Sequence, residues 1–111
     1  MKKTITGNWR KFHDYRYISG EDLLEGDVTL TIKEIGIDEV QNERGKEDKV
    51  VMAFKETKKM IVLNKTNSKQ LTHLIGSPSV EKWVGYKVQL TCETVSAFGK
   101  QVLAVRIKKL V

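Results

Sequence analysis

Two places in this 111-residue chain set flat aromatic rings among cations. The first is Trp9-Arg10-Lys11-Phe12, continuing to Tyr15, Arg16 and Tyr17; the second is Phe98-Gly99-Lys100. Lysine and arginine neutralise phosphates, and an aromatic face stacks on an unpaired base for about 1–3 kcal/mol, so the mixture suits a single-stranded nucleic acid. The N-terminal aromatic residues would serve equally well to cover one end of a small core, and residue types alone leave both uses open. Further cations flank apolar runs: Lys49 and Lys55 around one, Lys58 and Lys59 ahead of the next, Arg106 and Lys108 in the last.

Bond-making chemistry finds few candidates. His13 and His73 share no metal-ligand spacing, and Gly76-Ser77-Pro78-Ser79 lacks the second glycine of a nucleophile elbow. Cys92 is the only cysteine, which excludes an intrachain disulfide and a paired-cysteine zinc site. It falls on the apolar side of the alternation that starts at Tyr86, a core position. The acidic residues between Glu21 and Asp48 fall mostly at turns and loops, where solvation accounts for them. The expectation is a protein that is not an enzyme and uses neither metal nor cofactor.

The charge is unevenly placed. Residues 1–17 carry +4, residues 18–48 carry −7 and residues 49–111 carry +9, for a net +6. Basic surfaces are the electrostatic footprint of nucleic-acid binding, although a solvated lysine-rich face gives the same tally. No apolar run approaches the roughly 20 residues that cross a bilayer. Met1-Lys2-Lys3-Thr4 leads into polar residues rather than a signal-peptide core. A cytoplasmic protein that makes no membrane contact is expected.

The elements that must position these residues are mostly strands. Ser19-Gly20-Glu21-Asp22 reads as a turn or helix start, with Leu23 and Leu24 to anchor it. Val28, Leu30 and Ile32 alternate with Thr29, Thr31 and Lys33, then Glu34-Ile35-Gly36-Ile37 shifts the phase, which predicts a bulge in a long curved strand. Asp38 to Asp48, centred on Arg44-Gly45-Lys46, reads as a hairpin loop. Strands over Lys49–Lys55 and Lys59–Leu63 follow. A helix over Asn67–Gly76 takes its cap from Asn67 or Thr66, with Gln70 as capping-box partner, Leu71, Leu74 and Ile75 on one face, and Gly76 as its stop. Exposed amides at that helix start, beside Lys65, would also attract a phosphate. Ser79 is placed to cap a further short turn, and Trp83 to plug the core. Strands over Tyr86–Ala97 and Gln101–Lys109 are joined by a hairpin at Phe98-Gly99-Lys100.

Five strands, with one helix between the third and fourth, give an all-β chain in the layout of the five-stranded Greek-key barrel, the OB-fold. Residues 1–17 form a basic aromatic arm and residues 18–111 the barrel domain. Such barrels bind oligonucleotides or oligosaccharides on strands two and three.

One longer pattern is distinctive. Lys59-Met60-Ile61-Val62-Leu63-Asn64-Lys65-Thr66-Asn67, then Leu71, Gly76, Trp83-Val84-Gly85-Tyr86-Lys87-Val88-Gln89-Leu90, and Val105-Arg106-Ile107 together resemble a group of small phage and prophage proteins. The resemblance spans roughly Tyr17 to Lys109. It implies an OB-fold protein of phage DNA replication or recombination that binds single-stranded DNA in the cytoplasm of a bacterial host. RNA is the other ligand the residues admit. A second copy of the chain or a replication or recombination protein is the expected partner. The alternative is a protein-interaction module of a phage replication or assembly complex.

Overall fold

The computed structural model describes residues 16–42 and 45–111. The arm residues Trp9, Arg10, Lys11, Phe12 and Tyr15 therefore lie outside the described residues, as does Arg44. The chain is β-rich, with strands β1 (Val28–Asn42), β2 (Gly45–Phe54), β3 (Ile61–Val62), β4 (Lys87–Ala97) and β5 (Lys100–Leu110), and one α-helix, α1 (Lys65–Ile75), between β3 and β4. They form one five-stranded sheet in the order β3-β2-β1-β4-β5, with every ladder antiparallel.

β1 holds the sheet together by serving two ladders. Val28–Thr31 pairs with β4, and the rest of the strand pairs with β2. The switch comes at a bulge: Ile32 faces Phe54 and Glu34 faces Ala53, which leaves Lys33 as the extra residue. Leu30 and Ile32 are buried, and after the bulge Ile35, opposite Met52, takes the core side. The phase shift in the sequence is that bulge.

Beyond Ile37, where β3 and Leu63 no longer bond to β2, β1 and β2 continue as a two-stranded ribbon. The expected loop over Asp38–Asp48 is a correction: Asp38 pairs with Lys49, Glu39 with Asp48 and Val40 with Glu47, and the ladder runs to Asn42 and Gly45. A ribbon outside the core has no buried face, so its side chains need not alternate between apolar and polar. Ile37 and Val50, opposed in the ladder, are 68% and 41% exposed on the side that, nearer the body, faces the core.

The core consists of Leu30, Ile32, Met52, Phe54, Ile61, Leu71, Trp83, Val88, Leu90 and Ile107, joined by Leu23. Trp83 is buried, and its indole N–H donates to the Ser77 carbonyl at 2.8 Å, which satisfies the polar end of the largest ring in the core. Cys92 packs at the margin, partly buried. Leu24, expected to anchor alongside Leu23, is exposed: the 3-10 turn Gly20–Leu23 delivers only Leu23 inward.

The helix starts earlier than the sequence suggested. Asn64 is the N-cap, its side chain accepting from the Asn67 N–H at 2.8 Å, and Thr66 and Asn67 lie inside the first turn. Asn67 is buried. Its amide nitrogen donates to the Val105 carbonyl at 3.0 Å and its oxygen accepts from the Ile107 N–H at 3.3 Å. Gly76 ends the helix in the left-handed region at φ 83°, and a 3-10 turn at Val80–Lys82 follows Ser79.

Among the described residues no ladder joins β3 to β5. The segment before β1 lies across that gap. Tyr17 bridges Met60 in parallel, the Ile18 N–H donates to the Met60 carbonyl at 2.8 Å, and the Met60 N–H donates to the Arg16 carbonyl at 2.7 Å. A few residues on, Gly20 lies against Leu103 of β5 and Leu23 enters the core. This strap and Asn67 together occupy the free edges of β3 and β5.

Candidate nucleic-acid interface

The connector between β2 and β3 is pinned to β1. The Lys55 N–H donates to the Thr31 carbonyl at 3.0 Å, and the Glu56 carboxylate accepts from the Thr31 N–H at 2.7 Å and from its hydroxyl at 2.6 Å. The Thr57 hydroxyl oxygen accepts from the Lys59 N–H at 3.2 Å. So held, Lys55 and Lys58 line a cavity of about 490 Å³ with Lys33, Ala53, Phe54, Glu56, Thr57 and Met60. The Thr31 hydroxyl and amide hold the Glu56 carboxyl below its ordinary value, so it stays ionised. Three cations against one carboxylate leave the cavity positive.

A groove of about 250 Å³ adjoins this cavity and shares Ala53 and Met60 with it. The rest of its lining is Glu34–Asp38 of β1 and Val51 of β2. Glu34, Gly36 and Asp38 share one side of β1 by strand alternation, and the ladder sets them opposite Ala53, Val51 and Lys49.

Phe98 stands apart at the tip of the β4–β5 hairpin. Ala97 pairs with Lys100, so the loop is Phe98-Gly99, both at positive φ, 53° and 75°. Phe98 is fully exposed. A two-residue hairpin with both φ positive is a type I′ turn, which favours asparagine or glycine. A bulky residue there carries backbone strain and leaves its apolar ring in water. Lys100 is exposed beside it.

The remaining cations expected at the site, among the described residues, are engaged with the chain's own carboxylates. Lys49 meets Glu47 at 3.0 Å and Lys59 meets Asp22 at 3.5 Å. Arg106 meets Glu93 at 3.1 Å and Lys108, the extra residue of a bulge in β5, meets Asp27 at 3.1 Å. Arg16 meets Asp38 at 3.3 Å, donates to the Glu39 carbonyl at 2.8 Å and lies over the Tyr17 ring, whose hydroxyl donates to Asp38 at 2.7 Å. Such pairs, where exposed, are worth about 0–1 kcal/mol, yet each cation in one is already partly neutralised before any phosphate arrives. The structure thus brings Lys55 and Lys58 together and sets Arg106, Lys108, Lys100 and Phe98 on the other ribbon.

No protein-family model, curated protein or solved structure matches the chain.

Two residues of this surface escaped the sequence reading. Lys33 joins Lys55 and Lys58 because the bulge re-aims it, and the phase shift already visible at Glu34 was the signal. Tyr86, outside the cavity lining, is also exposed, and its carbonyl accepts from the Ile32 N–H at 2.9 Å, one residue before Lys33 in the chain. Among the described residues no three of His, Cys, Asp and Glu gather where a metal ion would sit, and no helix is long and apolar enough to cross a membrane.

Proposed function

We propose that this chain is a non-catalytic OB-fold protein that binds single-stranded DNA with little sequence preference. The observation that carries the reading is Phe98: an aromatic ring set wholly in solvent, on a turn that disfavours it, beside an exposed lysine. A residue that raises the energy of the free protein in this way is explained by a contact made in a complex. Lys33, Lys55 and Lys58 supply a second, cationic site for the sugar-phosphate chain.

The strand order supports the OB-fold part of the reading, since β1 pairs with both β2 and β4 and the helix lies between β3 and β4. In this reading the strap and Asn67 close the barrel where β3 and β5 do not meet. The resemblance to small phage and prophage proteins supports a role in phage DNA replication or recombination in the host cytoplasm. The exposed pair Ile37 and Val50 favours a second reading, in which the chain is a protein-interaction module of a phage complex.

The deciding experiment is fluorescence anisotropy of labelled single-stranded oligonucleotides against duplex, at two salt concentrations. Tight, salt-sensitive binding of the single strand alone is expected. Absence of binding at low salt would leave the interaction module as the better reading.

A further inference from the structure

Gly36 is the one described glycine without a local reason to be glycine. Five others stand at positive φ. Gly20 lies so near Leu103 that a Cβ would sit 2.6 Å from the Leu103 Cβ, whereas a Cβ on Gly36 would meet nothing within 4 Å. Glycine inside a strand weakens it, and marks a bulge or the close approach of another group. The bulge of β1 is at Lys33, and the ladder is regular on both sides of Gly36. Gly36 lies instead in the lining of the groove, opposite Val51.

We infer that Gly36 keeps open a seat for one nucleobase, whose ring lies flat on the groove floor while the adjoining phosphate enters the Lys33, Lys55 and Lys58 cavity. The inference rests on the single-strand reading and adds to it where a base sits. A groove of about 250 Å³ falls below the range of about 300–1,000 Å³ typical of drug-sized ligands and suits a single planar ring. Val51, Ala53 and Met60 give it apolar walls. Glu34, two residues before Gly36, repels a phosphate, while Asp38 on the other side is already paired with Arg16, and the lysines next door attract a phosphate. Base and phosphate are therefore sorted into neighbouring spaces that share Ala53 and Met60. Any side chain at position 36 would fill the seat.

The test is Gly36→Val in the full chain, read with a labelled oligonucleotide and with an abasic strand of the same length, alongside thermal unfolding. Valine suits a strand and its Cβ meets no neighbour, so the variant should unfold at the parent's temperature or above. Affinity for the base-carrying strand should fall about tenfold, and affinity for the abasic strand should stay unchanged. Equal binding by variant and parent, or equal losses on both strands, would overturn the seat while leaving single-strand binding intact. A variant that unfolds early, with Gly36→Ala doing the same, would show that the glycine serves the strand. Failure of the parent to bind the base-carrying strand would overturn both proposals together.

Discussion

The carboxamide of Asn67, on the first turn of the helix, donates to the Val105 carbonyl on the outer edge of β5, 3.0 Å away. Its oxygen takes the Ile107 N–H from the same edge. One buried side chain thus does for the edge of β5 what a further strand would do, and satisfies both of its own polar atoms in the process. Replacement by leucine keeps most of the volume and strands both backbone groups. Asn67→Leu should therefore lower stability by about 2–4 kcal/mol. Asn64→Ala removes a helix cap and should cost about 1 kcal/mol. Urea unfolding of both variants, compared at unchanged slope, measures the difference.

Phe98 should show opposite signs in stability and binding. Phe98→Asn places a residue suited to positive φ in the type I′ turn and removes an exposed ring, so the unfolding temperature should rise slightly. Loss of stacking should weaken single-strand binding by about 1–3 kcal/mol with the salt slope nearly unchanged. An unfolding scan and one anisotropy titration read both. Unaltered binding would return Phe98 to the role of an ordinary hairpin residue.

The lysines should behave in a different way. Replacing Lys55 and Lys58 together by alanine should weaken binding of all sequences alike and reduce the salt slope by about 0.7 for each phosphate that is no longer neutralised. Lys49→Ala and Arg106→Ala, at residues already paired with Glu47 and Glu93, should change the slope less. Titrations at several salt concentrations separate the two groups.

Acid should loosen the connector between β2 and β3. The Thr31 hydroxyl and amide hold Glu56 below its ordinary value; the Thr91 hydroxyl and Lys108 do the same for Asp27. For Asp22, burial pushes the carboxyl up, but the Ser19 amide and hydroxyl and Lys59 outweigh it and the net direction is down. A carboxylate held low stabilises the fold above its ordinary range and gives that up as protons bind on the way down. The unfolding temperature should therefore be flat near neutral pH and fall as pH drops below about 4. Glu56→Gln should unfold earlier at pH 7 and lose part of the acid dependence. Calorimetry from neutral pH down to about 3 checks both.

Sequence reading succeeded where a buried face imposed a period. The β1 bulge, the β4–β5 hairpin, the stop at Gly76 and the burial of Trp83 all followed from alternation, turn chemistry or size. It failed where no core face imposes one: the β1–β2 ribbon from Asp38 to Asp48 is strand outside the core, and its composition is that of a loop. The helix start was ambiguous for a different reason. Asn64, Thr66 and Asn67 are each chemically able to cap, and what assigns Asn67 to another task is a partner on β5, far along the chain. The same holds for the candidate site. Lys55 and Lys58 were visible as cations, but their convergence with Lys33 needed the bulge in three dimensions.

The strap that runs from Arg16 to Leu23 sets a timetable for the chain as it is synthesised. It leaves the ribosome before β1, yet Met60 comes much later and Leu103 later still. Until then Leu23 has no complete core to enter, and the edges of β3 and β5 stay open to other chains. Such distant pairings slow folding and prolong the interval in which an unfinished chain can associate wrongly. β5 is thus the strand that admits a segment made well before it, and the domain can settle only once β5 has been made.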